Sequence, residues 1–439
     1  MRESIGISAL LIMLGGTVWA ADGLPDPVTD GDFAPVNMDE AALGQLLFYD
    51  PVLSGNREVS CATCHHPKHG TGDGLSLPLG DGGHGLGMDR LADQENLPEQ
   101  RVPRNAQALF NLGAHEFTRL FHDGRIEEDP TRPGGLRTPL DEEMVAGFDS
   151  ILSAQTMFPV LSPDEMAGHY SENEVAKAVR LGTLTAEGGA WDLISRRVAG
   201  IPAYADRFKD VYGLEAQEIG FTDISNAIAA FMAHEWRSDT SPFDAYLRGE
   251  GELSADAMAG MELFYGDAGC ASCHSGKFQT DQQFHATGQP QIGPGKGARF
   301  ETHARDEGRF RVTGDPADLY AFRTPSLRNV ELTAPYGHAG AYATLEGFIA
   351  AHADPVAALE NYDRSQAMLP ALEVSDWRIM DDPAEVEAII AANAMPAVDL
   401  SESDIAELVA FLGALTDPVA KSGRMGVPAT VPSGLPVAN

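Results

Sequence analysis

Cysteine is scarce in this chain: four in 439 residues, all in two close pairs, with none left over for another role. Basic residues are also short, 30 Lys and Arg against 65 Asp and Glu, for a formal net charge of −35. That balance excludes nucleic acid or an anionic membrane surface as partner. It leaves a soluble acidic protein, or one whose acidic face steers a basic partner. Aromatics make up only 8%, whereas 46 Gly and 28 Pro call for long ordered loops. Beyond Ala20 no apolar run is long enough to cross a bilayer. Long alternating runs are absent too, which leaves room for short strands at most. The chain is too long for one small module, so two domains, each with a full core, are the natural expectation.

What is present begins with a leader. Arg2 precedes an apolar run from Ile5 to Val18, and Val18-Trp19-Ala20 fits a small-x-small cleavage site. Residues 1–20 therefore read as a secretory signal peptide; the alternative is an uncleaved anchor, for which the run is short. The mature protein is expected in an oxidising compartment, the periplasm of a Gram-negative source.

The cysteines form two copies of one pattern, Cys61-Ala-Thr-Cys64-His65 and Cys270-Ala-Ser-Cys273-His274. C-x-x-C-H has a mechanical meaning: the two thiols form thioethers to the haem vinyl groups, and the adjacent imidazole reaches the iron as proximal ligand. A Cys61–Cys64 disulfide would be strained. A closed zinc site needs four ligands where each motif offers three. A redox dithiol wants a βαβ setting that the chain lacks. Two covalent c-type haems are the expectation, held by Cys61, Cys64 and His65 and by Cys270, Cys273 and His274.

The lead-ins repeat as well. Leu47-Phe48-Tyr49 precedes the first motif and Leu263-Phe264-Tyr265 the second, each behind a helical apolar pattern (Ala42, Leu43, Leu46, Leu47; Ala257, Met261, Leu263, Phe264). The spacing predicts two cytochrome c-like domains related by internal duplication, mainly α with long ordered loops. A polar, turn-rich stretch at 237–255 marks the boundary, giving domains at 21–245 and 246–417. A helix over 224–236 is expected behind Thr222 or Asp223 as cap. Another is expected behind a capping-box pair, Ser401 and Asp404. The Pro-, Gly- and Ser-rich segment 418–439 reads as a disordered tail.

The block Arg323-Thr-Pro-Ser-Leu-Arg-Asn329, running on through Thr333-Ala-Pro335-Tyr336-Gly-His338 to Thr344-Leu345-Glu346, resembles the bacterial di-haem cytochrome c peroxidases and their relatives of the MauG type. FHDGR at 121–125 resembles that family's FWDGR, and Gln155 and Glu165 match its Q…P-x-E-M segment. The resemblance implies an N-terminal haem where hydrogen peroxide reacts and a C-terminal electron-transfer haem. It implies Glu165 and Gln155 as distal catalytic residues and a calcium ion between the domains at Asn105, Thr333 and Pro335. A glutamate in a partly dry pocket suits the proton transfer that peroxide cleavage needs; otherwise Glu165 is a helix-start residue after Pro163.

Two departures bear on function. Where the family places Met or Tyr as sixth ligand of the C-terminal haem, this chain has His352, on one helical face with Leu345, Phe348 and Ile349. Tyr362, Met368 and Met395 compete for the role. Two imidazoles would leave that haem at lower potential than a thioether, which favours the MauG type. The family's inter-haem tryptophan is His122 here, which puts the route between the haems in question. His84, in a glycine-rich stretch, reads as a solvated loop residue or as a removable ligand. The expected partners are hydrogen peroxide and a small electron-donor protein, a cytochrome c or cupredoxin; the MauG-like alternative takes a residue on a partner protein, and homodimers are common in that family. A di-haem electron carrier without peroxide chemistry is a third reading, which Gln155 and Glu165 oppose.

Overall fold

The computed structural model describes residues 23–140, 146–297 and 301–438. The proposed leader lies outside them. No helix among the described residues is long and apolar enough to cross a membrane. The architecture is mainly helical. Among the described residues its strands are two or three residues long and make three small antiparallel sheets, from 83–84 with 91–92, from 119–120, 126–128 and 136–137, and from 284–285 with 322–323. The expected mainly-α class with minor strands is what forms.

Two helix pairs organise the molecule. Met38–Tyr49 packs on Phe221–Glu235, and Ala255–Tyr265 packs on Glu402–Gly413. The first helix of each pair is capped by a side chain that satisfies otherwise unpaired amides: Asn37 accepts from Asp39 N at 3.0 Å, and Ser254 accepts from Ala257 N at 3.1 Å. Each crossing turns on a glycine. A Cβ on Gly44 would run into the Ala227 carbonyl, and a Cβ on Gly260 into that of Glu407. Only a bare Cα lets the backbones approach so closely. Buried aromatics flank each crossing, Phe48, Phe231 and Trp236 in one and Phe243, Phe264 and Phe411 in the other.

The expected capping box is there: Asp404 N donates to Ser401 Oγ at 3.2 Å and Ser401 N to Asp404 Oδ2 at 2.8 Å. The cap of the other helix is different. It begins at Phe221 with Gly220 as cap, and the Asp223 carboxylate accepts from Gly220 N at 2.8 Å. Thr222 and Asp223 therefore lie inside the first turn, because a carboxylate two residues into the helix can reach back to the cap amide.

The halves interpenetrate. Stretch 237–255 is no loose linker: it holds the helix Pro242–Leu247, whose Phe243 joins the second core and whose Asp244 pairs with Arg328 in full burial. Leu77, from the first half, also sits in the second core, and Phe278, from the second half, in the first. The tail is not disordered. Ala420 and Val431 are buried against the first core. Glu235 accepts the amides of Arg424, Met425 and Gly426, and Asp50 accepts the Ser433 hydroxyl. Composition suggested a free segment because Pro, Gly and Ser bury little on their own. Two buried carboxylates supply the acceptors that order it.

Candidate active site at the first C-x-x-C-H turn

The first motif forms a single helical turn, Cys61–Cys64, with Ala62 and Thr63 buried. His65 follows in a non-helical conformation, and its Nδ1 lies 2.9 Å from the Thr71 carbonyl oxygen. An imidazole that donates from Nδ1 keeps its Nε2 lone pair free for a metal. Burial lowers the His65 pKa, so the ring stays neutral. Burial also pushes the Cys61 thiol up to about 12 and raises Cys64 further. Such thiols are poor thiolates, which weighs against a redox dithiol.

These three side chains face a cavity of about 1030 Å³, counting the part open to solvent. Gln155 and Glu165 line the same cavity. Gln155 lies in the last turn of the helix Ile151–Thr156; it is buried, and its Oε1 has no hydrogen-bond partner among the described residues. An orphaned buried acceptor of this kind marks a place where a ligand belongs. Glu165 rides a π-helical turn, Pro163–Ala167, closed by Ala167 N to Ser162 O at 2.9 Å. Main-chain bonds from Asp81 N to Asp164 O and from Gly55 N to Met166 O pin that turn at both ends. Gly80 is required beneath it, since a Cβ there would meet the Asp164 carbonyl. The residues present thus fit a haem attached at Cys61 and Cys64, with His65 as one iron ligand and an amide and a carboxylate within the same cavity.

The second motif is a tighter turn, Cys270–Ser272, with no buried residue in it. His274 Nδ1 lies 3.1 Å from the Gln279 carbonyl, the counterpart of the His65–Thr71 bond. Burial lowers His274 to about 4, and the His352 imidazole is close enough to press it down as well. His352 sits on the helix Leu345–Ala353 with Nδ1 3.0 Å from Phe348 O, so its Nε2 is the atom left to bind. Of its competitors, Tyr362 already donates its hydroxyl to the Ala341 carbonyl. Cys273, Asp281 and His285 place ligand atoms within 4.8 Å of one another. Three ligands fall short of a closed zinc site, and a thioether would consume Cys273.

Other sequence candidates fall elsewhere. His84 lies on a short strand, its Nε2 3.0 Å from Asp93, with the side chain 58% exposed. That is the solvated loop histidine. His122 is in the seam between the halves and lines the cavity, and its main-chain carbonyl accepts from Arg323 N at 2.7 Å. Burial and then Arg104, His338 and Arg323 drive its pKa well down, so this imidazole stays neutral. Asn105 donates its side-chain amide to Leu75 O at 2.8 Å and its main-chain N–H to His338 O at 2.9 Å. Thr333 donates its hydroxyl to Val330 O, and Pro335 follows the cis Ala334–Pro335 bond. These bonds place Asn105 beside the 338–340 loop.

Sequence reasoning missed the charges that frame the seam. Arg104 is buried between Asp123, at 2.8 Å, and Asp306. Arg125 shares Asp123 at 3.1 Å and stacks over the Phe121 ring at 3.7 Å. Lys296, from the second half, reaches into the cavity of the first. Arg125 beside it, with burial, brings its pKa down to about 8. The signal that could have found it is Gly293-Pro294-Gly295, where both glycines are left-handed.

The family model described as di-haem cytochrome c peroxidase matches residues 38–252. The methylamine utilization protein MauG of Methylorubrum extorquens is 30% identical over 392 residues, 89% of this chain and 82% of that protein. The cytochrome c551 peroxidase of Nitrosomonas europaea is 30% identical over 354 residues, 79% of this chain and 83% of its own. Among solved structures, a MauG-like protein associated with microbial copper homeostasis is 27% identical with a TM-score of 0.58, covering 93% of this chain and 97% of that one. The diheme peroxidase BthA of Burkholderia thailandensis has a TM-score of 0.60 at 20% identity, covering 92% and 94%, a likeness of fold.

Proposed function

The chain belongs to the di-haem cytochrome c peroxidase family and is an oxidoreductase of that type, and on that premise we propose that hydrogen peroxide reacts in the cavity of the first C-x-x-C-H turn while electrons enter through the second. The observation that carries this reading is the meeting of Cys61, Cys64 and His65 with Gln155 and Glu165 around one cavity. The two halves are read as duplicated cytochrome c-like units, which the matching glycine crossings at Gly44 and Gly260 support.

Bound there, a haem would supply an iron that holds peroxide and exchanges electrons. The protein does the rest. His65 presents a neutral Nε2 because Thr71 fixes its other nitrogen. The Gln155 amide, unpartnered in the protein, orients the peroxide. Glu165 takes a proton from one peroxide oxygen and delivers it to the other, which leaves as water when the O–O bond breaks. Two electrons from a donor protein and two protons complete the reduction to two waters. At the second motif His274 and His352 would hold the other haem, which would pass electrons. Export to the periplasm and a calcium ion at Asn105, Thr333 and Pro335 belong to the same proposal.

A MauG-like oxidation of a residue on a partner protein is the second reading, favoured by His352, since a bis-imidazole haem of low potential accepts poorly from an ordinary cytochrome. Low-temperature EPR of the resting oxidised protein tests the common core. One high-spin and one low-spin ferric signal are expected. Two low-spin signals would mean that both irons are closed; then either a removable ligand such as His84 leaves on reduction, or the peroxide reading of this cavity falls. Turnover with a reduced cytochrome, against oxidation of a partner protein, separates the two readings.

A further inference from the structure

Trp236 caps the helix Phe221–Glu235, its main-chain N–H donating to Met232 O at 3.3 Å. Met232 lines the cavity of the first C-x-x-C-H turn, and so does Phe48. The indole packs on Phe48 with 5.1 Å between ring centroids and on Phe231 with 5.2 Å. It therefore stands one side chain behind the cavity wall. It is 1% exposed, and its Nε1–H has no hydrogen-bond partner among the described residues. An orphaned buried donor calls for an explanation, and a redox role is one.

The other helix crossing shows that packing alone does not ask for an indole here. Gly44 meets Ala227 in the first crossing as Gly260 meets Glu407 in the second. Counted from those contacts, Phe48 answers to Phe264, Phe231 to Phe411 and Trp236 to Thr416. The second crossing takes its third ring from the helix Pro242–Leu247, whose Phe243 lies 5.2 Å from Phe411. A third ring fills both crossings, but only the one beside Gln155 and Glu165 uses a ring that is easily oxidised.

Other oxidisable side chains are placed differently. Trp191 donates its Nε1–H to Met157 O at 2.9 Å, and its ring neighbours, Phe158 and Phe221, do not line the cavity. Trp377 belongs to the second half, beside Tyr362. Tyr49 adjoins Phe48 at 5.3 Å, but its buried hydroxyl has no acceptor, and a phenol must give up its proton as it is oxidised. An indole can lose an electron and keep its N–H, so an unpartnered N–H suits a reversible loss. The cation it becomes has two aromatic rings within the roughly 6 Å over which π faces attract positive charge.

We propose that Trp236 supplies one of the two electrons that peroxide draws when its O–O bond breaks in the first cavity, and is refilled by the donor protein. This rests on the reading of that cavity as a haem and peroxide site. The haem gives the other electron. Both peroxide protons leave in the first water, and the indole becomes a radical cation with its N–H intact. Two electrons from the donor and two further protons then restore haem and indole and carry off the second oxygen as water.

The test uses the mature di-haem protein. Haem content and the reaction with hydrogen peroxide are read first; fewer than two haems per chain, or no reaction, would sink the reading of the cavity itself. Protein mixed with peroxide, without a donor, is then freeze-quenched for EPR, once with ordinary and once with ring-deuterated tryptophan. A protein radical signal that narrows on deuteration is expected, lost in Trp236→Phe and kept in Trp191→Phe. Peptide mapping after repeated exposure to peroxide should find added oxygen on Trp236. A radical that survives in Trp236→Phe, or that ignores the deuterated tryptophan, would overturn the proposal. So would a peroxide reaction that leaves no protein radical, the second electron then coming from the other haem. Where Trp236→Phe fails to mature, the peptide map of the unaltered protein decides: oxygen on Met166 or Met232 with Trp236 unchanged overturns the proposal.

Discussion

The two C-x-x-C-H turns share one chemistry of attachment and differ in what stands across from it. At the first, a buried turn faces a roomy cavity holding an orphaned amide, Gln155, and a carboxylate, Glu165. At the second, a more open turn faces an imidazole, His352, backed by Phe348 at 4.4 Å between ring centroids. Both proximal histidines donate Nδ1 to a main-chain carbonyl a few residues on. On the proposed reading the near side of each haem is set alike, and the far side decides whether an iron stays open to a substrate or is closed for electron transfer. One repeated motif would then take two jobs through two or three residues outside it.

The strongest way to break this comparison is to remove one attachment at a time. Cys61→Ala with Cys64→Ala is expected to halve haem content in a pyridine haemochrome assay and abolish the reaction with peroxide. Cys270→Ala with Cys273→Ala should also halve the haem but leave an iron that still reacts with peroxide once. Equal loss of that first reaction in both would erase the distinction. Next in size, Glu165→Gln should slow the peroxide step by about 10²–10⁴, the range for loss of a positioned proton-transfer group, in stopped-flow mixing. His352→Met should then sharpen the contrast, raising the potential of the second haem alone and leaving the first step with peroxide unchanged; an unmoved potential would free His352 from the iron.

The seam between the halves gives a pH-dependent prediction. His338 is buried against Phe322 with both ring nitrogens unpartnered, and burial lowers it to about 4. Its folded pKa lies below the unfolded value, so the unfolded chain binds the proton more readily. The folded state is unpenalised above the unfolded pKa and loses stability as pH falls toward 4, by at most about 3 kcal/mol. His338→Gln should flatten that acid limb in urea melts between pH 7 and 4. Smallest of all, Gly44→Ala and Gly260→Ala should each destabilise by about 1–3 kcal/mol through a forced helix shift. Similar losses would confirm that the two crossings are the same device.

What could be read from the sequence was local. The haem turns were legible because attachment needs five consecutive residues, and the Ser401–Asp404 cap because its partners are three apart. Gln155 and Glu165 were legible only through resemblance; what brings them to one cavity is a π-helical turn pinned to Gly55 and Asp81, distant in the chain. The tail was misread because its own residues bury little, while Glu235 and Asp50, which order it, are remote in sequence. Lys296 passed unnoticed since a lone lysine near glycines reads as a solvated turn. Two haem-attachment motifs, an acidic chain and a mainly helical fold were therefore written in the sequence, where composition and short-range spacing suffice. The meeting of Gln155 and Glu165 with the first motif, the approach of His352 to His274, and the exchange of Leu77, Phe278 and Lys296 across the seam were decided by tertiary packing, because each depends on backbone turns bringing together groups that no sequence distance connects.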